Sequence, residues 1–455
     1  MIPSCARKAA PLFREGLRTR ACRPSPVVLA VAALQVAAAT LALPIATPAA
    51  AQAAAPYRKV GYFSRAAVKP KAEGGADFQI RDLDEKGSAA KLTSLHYAFG
   101  SISAAGECQI TSDEARLDYQ QEYPATDSLD GVADQPGQAL RGVFNQIRRL
   151  KAKYSLRTSI SLGGGSGSAN FAEAARTAVS REKFVRSCID LYIKGDLPQL
   201  GGQPQGGIGA GAGVFDGIDI DWEYPGATGN SLEKHNYTLL LQEFRRQLDA
   251  YRQGAEGRPY YLLTAALPGG AYTLGRGYEL PAIFTYLDWA VLMAYDMHGA
   301  WESPSTTNHQ SALHLNAADP DPTDRSVDIY LKNLTDHGVA PGRLVLGVPF
   351  YSRGWTGVDA TDNGLFRPGT GVSDGRDYRT VKEYVHNGFV RHWDDTAKAA
   401  WLFNGNTFWT FDDPAVMTEK AGYAKAAKLG GIGVWALNQD DDQGALLAAI
   451  DSGLR

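Results

Sequence analysis

The chain has 455 residues and a mass of 48.9 kDa, and 44% of its residues are hydrophobic and 21% charged. This composition is that of a globular protein and excludes wholesale disorder and collagen-like repeats. The formal net charge is −3 and there are four cysteines, too few for a small disulfide-framework fold.

The first predicted element is a targeting segment over residues 1–53. Six basic residues and one acidic residue precede a run of Ala, Val and Leu, and Ala51-Gln52-Ala53 fits the pattern of signal peptidase sites. The alternative is a membrane anchor that stays in place. Cleavage would remove six of 46 basic and one of 49 acidic residues and leave a net charge of −8. We therefore predict a secreted protein without an electrostatic footprint for nucleic acid.

Residues 54–455 alternate between short β-rich runs and amphipathic helical patterns. The predicted strands are 57–64, 92–101, 156–162, 214–221, 260–267, 287–295, 343–350 and 431–437. The predicted helices include 139–154, 181–194, 232–252, 325–337 and 414–428. Most strand runs are continuously apolar, which is typical of parallel strands covered on both faces. The count of eight favours an α/β fold of the (β/α)8 TIM barrel type over an open, doubly wound sheet.

Two long segments follow predicted strands, which places them on the active-site face of a barrel. Residues 356–409, between strands seven and eight, predict a small α+β insertion that forms one wall of a groove. Residues 103–137, after strand two, form a long polar loop. The Gly-rich residues 198–213 precede a strand instead, and predict a flexible insert on the opposite face.

Cys108 and Cys188 are the two cysteines outside the targeting segment. An even pair in an oxidising compartment indicates a disulfide, and the alternative is two buried thiols. Mass measurement with and without reductant separates the two states.

The strongest chemical signal is the acidic segment Phe215–Gly226, FDGIDIDWEYPG. Side chains of a strand alternate between its faces, so Asp219, Asp221 and Glu223 point the same way, toward the barrel axis. Carboxylates buried side by side must share protons or bind a cation, and like-charge repulsion raises at least one pKa. Glu223, nearest the mouth, is the natural general acid. The alternatives are a Mg²⁺ or Ca²⁺ site and a structural network, and Asp216, of opposite parity, is predicted to be structural.

The segment DGIDIDWE resembles the DxxDxDxE signature of family-18 glycoside hydrolases, the chitinase family. Four further matches follow in the order of the family: SLGG at 161–164, MAYD at 293–296, the segment 347–355, and Trp435 on the last strand. The resemblance extends from about Tyr57 to Arg455. Gly165 departs from it, because the family often has an aromatic residue there.

The resemblance implies retaining, substrate-assisted hydrolysis of β-1,4 bonds between N-acetylglucosamine units, with chitin or chitooligosaccharides as partners. Glu223 would protonate the leaving oxygen and then activate water. Asp221 would hold the acetamide N–H, Asp219 would share a proton with Asp221, and Tyr295 would bind the acetamide carbonyl. No metal or organic cofactor is implied.

The resemblance also suggests residues that contact the sugar. The substrate-binding candidates are Trp435, Asp296, Met293, Arg353, Tyr62, Phe99 and Trp301, with Trp355 and Trp401 as further stacking candidates. We expect a monomer. One alternative function is a chitin-binding lectin, which typically lacks the acid at position 223. The other is an endo-β-N-acetylglucosaminidase that acts on N-glycans.

Overall fold

The computed structural model describes residues 56–455 except 255, 322 and 324. The predicted targeting segment 1–53 lies outside these residues. Within the part of the chain that is described, no helix has both the length and the apolar character needed to cross a membrane.

The described residues contain fourteen β-strands. They are β1 (Arg58–Ser64), β2 (Ser94–Ile102), β3 (Cys108–Gln109), β4 (Arg157–Gly163), β5 (Gly217–Asp221), β6 (Leu262–Pro268), β7 (Trp289–Met293), β8 (Leu344–Pro349), β9 (Tyr351–Thr356), β10 (Thr370–Asp377), β11 (Val390–Asp394), β12 (Ala399–Phe403), β13 (Phe408–Phe411) and β14 (Gly431–Trp435). Eight of them pair in parallel in the order β1-β14-β8-β7-β6-β5-β4-β2, and β1 also pairs with β2. This last pairing closes the barrel, so the fold is a TIM barrel and the open-sheet alternative is wrong. All eight predicted strands are confirmed.

The α-helices of the described residues surround the barrel or decorate its loops. They are α1 (Ile80–Glu85), α2 (Ser112–Ala115), α3 (Gly142–Tyr154), α4 (Phe171–Ala175), α5 (Ala178–Cys188), α6 (Leu232–Gln253), α7 (Ala271–Gly277), α8 (Val327–Thr335), α9 (Tyr378–Val381), α10 (Pro414–Ala426) and α11 (Ala445–Leu454). The five predicted helices correspond to α3, α5, α6, α8 and α10. The start of α10 shows local control: Asp413 accepts hydrogen bonds from the N–H groups of Ala415 and Val416, both at 3.0 Å, and Pro414 takes the first position.

Apolar side chains pack in two separate places. The outward-facing side chains of the strands, such as Ile218 and Leu346, join one large core with the helices. A smaller cluster that includes Val60, Tyr62 and Trp289 fills the barrel interior. The interior is therefore a packed floor, and a site must lie above it, at the carboxyl ends of the strands.

A second, antiparallel sheet has the strand order β10-β9-β13-β12-β11. It lies between β8 and β14 in the chain, which confirms the predicted α+β insertion. Because β9 begins two residues after the end of β8, the insertion stands on the active-site face.

The structure contains a disulfide between Cys108 on β3 and Cys188 at the end of α5, with a Cα–Cα distance of 4.9 Å. The disulfide prediction is confirmed, and the alternative of two free thiols is wrong. The bridge spans 80 residues and ties the loop after β2 to the helix layer.

We expect replacement of both cysteines by serine to lower the free energy of unfolding by about 2–5 kcal/mol, because the unfolded chain regains the freedom of a long closed loop. Urea unfolding followed by circular dichroism measures this change. The unaltered chain, measured with reductant, should lose a similar amount. An unchanged unfolding midpoint in the double variant would contradict the prediction.

Candidate active site

The three carboxylates of the acidic segment form one row that rises along β5. Asp219 is fully buried and Asp221 is 4% exposed, whereas Glu223 lies two residues beyond the strand and is half-buried on a cavity wall. The side chains between them are buried in the helix layer, where Trp222 stacks on Phe171 with ring centroids 5.3 Å apart. The predicted alternation of faces is therefore present.

Asp219, the innermost acid, is surrounded by hydroxyl groups. It accepts hydrogen bonds from Tyr62 on β1 (3.0 Å), Ser161 on β4 (2.8 Å) and Thr264 on β6 (2.6 Å). Burial raises the pKa of Asp219, but His96 and the hydroxyl hydrogen bonds more than offset this effect, so the pKa lies below its usual value. Three hydroxyl donors and a lowered pKa therefore favour the charged, carboxylate form of Asp219.

The pKa values of the two outer acids, Asp221 and Glu223, are shifted in the opposite direction. Burial raises the pKa of Asp221 well above its usual value, and the neighbouring carboxyls of Glu223 and Asp219 raise it further. Burial also raises the pKa of Glu223, a hydrogen bond with Tyr224 opposes the shift, and the charge of Asp296 adds to it. The outer end of the row thus holds a proton at a pH where an exposed carboxylate has lost it.

A short loop after β4 orients the acid. The Ser168 hydroxyl accepts the backbone N–H of Glu223 at 2.9 Å and donates to the Gly164 carbonyl at 2.9 Å. A Cβ at Gly165 would lie 3.8 Å from the Glu223 carboxylate and meet nothing nearer. The glycine therefore leaves this side of the acid open.

A cavity of about 540 Å³ opens at the end of the row. Eight predicted site residues line it: Phe99, Asp221, Glu223, Met293, Tyr295, Asp296, Arg353 and Trp435. Its volume lies within the range typical of small-molecule sites.

Tyr295, Asp296 and Arg353 form the wall supplied by β7 and the insertion. Arg353 pairs with Asp296 through its Nη2 atom at 2.7 Å and its Nε atom at 2.8 Å. The pKa of the Tyr295 hydroxyl is well above its usual value, because of burial first and then the charges of Asp221 and Glu223. Tyr295 therefore stays protonated and can donate a hydrogen bond into the cavity.

Trp435 forms an aromatic floor at the end of β14. It stacks on Phe99 with ring centroids 5.3 Å apart and an interplanar angle of 24°. Both rings line the cavity, so a flat apolar surface lies beside the acids. Such a surface suits the apolar face of a sugar ring.

The family model of the glycosyl hydrolases family 18 matches residues 58–440, a range that contains all eight barrel strands and every residue that lines the cavity. The chain belongs to glycosyl hydrolase family 18. It is 33% identical over 401 residues to Chitinase 63 of Streptomyces plicatus, an alignment that covers 87% of this chain and 60% of that protein. The chain thus spans about 60% of the length of this curated relative.

Solved structures of family 18 show the same fold. The catalytic domain of psychrophilic chitinase B from Arthrobacter TAD20 is 37% identical with a TM-score of 0.80, over 88% of this chain and 95% of that chain. A family-18 N-acetylglucosaminidase from Paenibacillus barengoltzii is 28% identical with a TM-score of 0.66, over 87% of this chain and 99% of that chain.

Four of the residues predicted to contact the sugar do not lie on the cavity wall of this family-18 chain. Tyr62 is buried beneath the row, where its hydroxyl binds Asp219, so it supports an acid rather than the substrate. Trp301 is 55% exposed and lies outside the cavity wall. The guanidinium carbon of Arg353 lies 5.1 Å from the centroid of the Trp301 ring. Trp355 and Trp401 are buried in a small core inside the insertion. Because both rings are buried against the other apolar side chains of the antiparallel sheet, neither presents a face to a sugar.

Two further titratable residues have structural partners. Asp216 binds the backbone N–H of Thr158 at 3.0 Å and Lys151 Nζ at 2.6 Å, as its parity predicted. His298 is buried beside Glu302, with 3.2 Å between Nδ1 and the carboxylate.

Sequence reasoning missed several residues of the family-18 cavity. The cavity-lining residues that it did not name include Tyr224, Tyr330, Tyr351, Asp377 and Gln439. Adjacency to Glu223 is the signal that could have found Tyr224. Tyr351 lies in the segment 347–355, whose resemblance to the family is a signal for it. Tyr330, Asp377 and Gln439 come from distant elements, and no local pattern marks them. Among the described residues, no three His, Cys, Asp or Glu side chains are placed to hold a metal ion.

Proposed function

We propose that this chain is a chitinase that hydrolyses β-1,4 bonds between N-acetylglucosamine units with retention of configuration. The observation that carries the proposal is a row of acids that rises along one strand and ends in Glu223, a half-buried carboxyl on the wall of a cavity, with a pKa that burial raises. Ordinary retaining glycosidases need a second carboxylate about 5–5.5 Å from the acid, on the other side of the bond. The two cavity acids outside the row are engaged elsewhere: Asp296 pairs with Arg353 at 2.7 Å, and Asp377 accepts from Gln439 at 3.0 Å.

The substrate's own 2-acetamido oxygen then serves as the nucleophile. It attacks the anomeric carbon while Glu223 gives its proton to the leaving glycosidic oxygen, which takes the electrons of the broken bond. The product of this step is a cyclic oxazolinium ion. Glu223, now a carboxylate, removes a proton from water, and the water oxygen attacks the anomeric carbon from the face that the leaving group vacated. The bond between the anomeric carbon and the acetamide oxygen breaks, and its electrons return to the acetamide, which is regenerated.

Asp221 and Tyr295 would hold the acetamide group in place. Asp221 stands between the other two acids and has one oxygen, Oδ1, without a hydrogen-bond partner among the described residues. This oxygen is available to accept the acetamide N–H. Tyr295 would donate to the acetamide carbonyl, and such orientation can supply several kcal/mol of the barrier.

Product analysis on a defined chitin hexamer and on crystalline chitin tests the proposal. We expect shorter N-acetylglucosamine oligomers whose new reducing ends first appear as the β-anomer, observable by proton NMR. Binding without cleavage would support the lectin alternative. Release of glycans from a glycoprotein, with the hexamer intact, would support the endo-β-N-acetylglucosaminidase alternative.

The raised pKa of Glu223 sets the direction of a pH prediction. The acid must be protonated, so activity falls as pH rises through this pKa. The charge of Asp296 raises the pKa of Glu223, so Asp296→Asn should lower it. We expect the basic limb of kcat/KM to move to lower pH. A pH–rate profile on a soluble oligomer measures the shift, and a move to higher pH would contradict the argument.

We further propose that the protein is secreted and acts as a monomer on chitin or chitooligosaccharides. The basic and apolar character of residues 1–53 and the disulfide between Cys108 and Cys188 support an oxidising compartment. One chain supplies the acids, Tyr295 and Trp435 of the cavity wall. Size-exclusion chromatography with light scattering tests the oligomeric state.

A further inference from the structure

A histidine lies in the barrel interior directly beneath the acidic row. His96 on β2 has no exposed surface, and its ring lies between Tyr62 and Trp289, with centroid distances of 5.0 and 5.4 Å. The register of β2 places it beside Tyr62 on β1 and Ser159 on β4. The titratable groups that the structure places against the ring are Tyr62 and Asp219.

Burial of the His96 ring in these surroundings destabilises the folded chain, so stability by itself does not explain a histidine here. Neither ring nitrogen has a hydrogen-bond partner in the described part of the chain. An unpartnered buried polar group is destabilising, and an apolar side chain would fill this place at lower cost. The charged group beside it is Asp219, whose Oδ2 lies 3.5 Å from Nδ1. A contact of this length is a weak hydrogen bond at best, although such contacts often tighten once substrate is bound.

We propose that His96 is a positioning residue: its Nδ1–H points at Asp219 and holds the negative charge there, so that the proton shared within the row stays on Asp221. The inference rests on the proposed function and adds a residue to it. His96 touches neither the cavity nor a substrate, and it acts through Asp219 alone.

The hydrogen-bonding capacity of Asp219 explains why a further donor matters. Three hydroxyl groups already donate to this carboxylate, two of them to the same oxygen that His96 approaches. When Asp221 turns toward the acetamide and takes the proton with it, Asp219 is left as a buried charge. The imidazole stabilises that charge from the side opposite the cavity, which makes the movement of Asp221 cheaper.

Two variants separate this role from packing. His96→Phe keeps the ring but removes the donor. We expect kcat to fall about tenfold with KM changed less than about threefold, and the acidic limb of kcat to move up by about half a pH unit or more, because the pKa of Asp219 rises. His96→Asn places an amide donor near the position of Nδ1. It should return the acidic limb of kcat most of the way to its original pH. An active His96→Phe variant with an unchanged acidic limb would overturn the inference.

A matched control is His309→Phe. His309 is another buried histidine beside a carboxylate, 3.2 Å from Asp394 in the insertion, and it does not line the cavity. We expect its removal to leave the acidic limb in place. A similar shift in this variant would mean that loss of a buried histidine disturbs the pH profile without contact to Asp219, and would also overturn the inference.

Nitrogen-15 NMR of the histidine rings gives a readout that does not depend on activity or on the folding of the Phe variant. The His96 signal is the one that disappears in His96→Asn. We expect Nδ1 to carry a proton throughout pH 5–7, and an Nδ1 without a proton would overturn the inference. Absence of hydrolysis by the unaltered chain would contradict the proposed function itself, which distinguishes the two failures.

Discussion

Glu223→Gln should lower kcat on a chitin hexamer by a factor of about 10²–10⁴, because general acid–base catalysis contributes this much and a glutamine cannot give up a proton. The amide has the size and shape of the carboxyl, so the cavity and Trp435 stay as they are. We expect the dissociation constant for the hexamer, measured by quenching of tryptophan fluorescence, to change less than about threefold.

The control for this variant is Glu419→Gln, which makes the same chemical change on the exposed surface of α10. Its kcat should equal that of the unaltered chain. If Glu223→Gln retained turnover within about tenfold of the unaltered chain, the acid would be assigned to the wrong residue.

The second large effect concerns the substrate rather than the protein. A hexamer of glucosamine that lacks the acetyl groups should be cleaved at least about 100-fold more slowly, because the internal nucleophile is missing and its effective molarity is lost. Measurement of kcat at saturation by product chromatography tests this prediction.

Binding must be separated from chemistry in that experiment. Competition of the deacetylated hexamer against the acetylated one shows whether it enters the cavity, whose wall carries four carboxyl groups: Asp221, Glu223, Asp296 and Asp377. A deacetylated hexamer that binds and is cleaved at a comparable rate would exclude the neighbouring-group mechanism and require a nucleophile from the protein.

The cavity wall shows where sequence reasoning stops. Asp296 and Arg353 were both predicted as substrate contacts, yet nothing in the sequence indicated that they pair with each other. The pairing needs β7 and the insertion to meet at the barrel mouth. Asp377 and Gln439 meet in the same way, 3.0 Å apart across 62 positions of sequence.

The tryptophans also show which placements the sequence could predict and which it could not. Trp435 is on the cavity wall as predicted, because the last strand of a barrel has a fixed place beside the first. Trp355 and Trp401 belong to an antiparallel sheet with its own core, and the sequence did not show which face of that sheet turns inward. A composition rich in aromatic residues suits a sugar-binding groove and a small core equally well.

The sequence by itself determined the parallel strands, their number and the common direction of Asp219, Asp221 and Glu223, because strand periodicity is a local property of the backbone. Only the tertiary structure decided which groups surround those acids. The pKa of Asp219 depends on burial, on a histidine from β2 and on hydroxyls from β4 and β6, whereas burial and neighbouring carboxyls raise the pKa values of Asp221 and Glu223. These groups meet because barrel closure brings distant strands together around one axis.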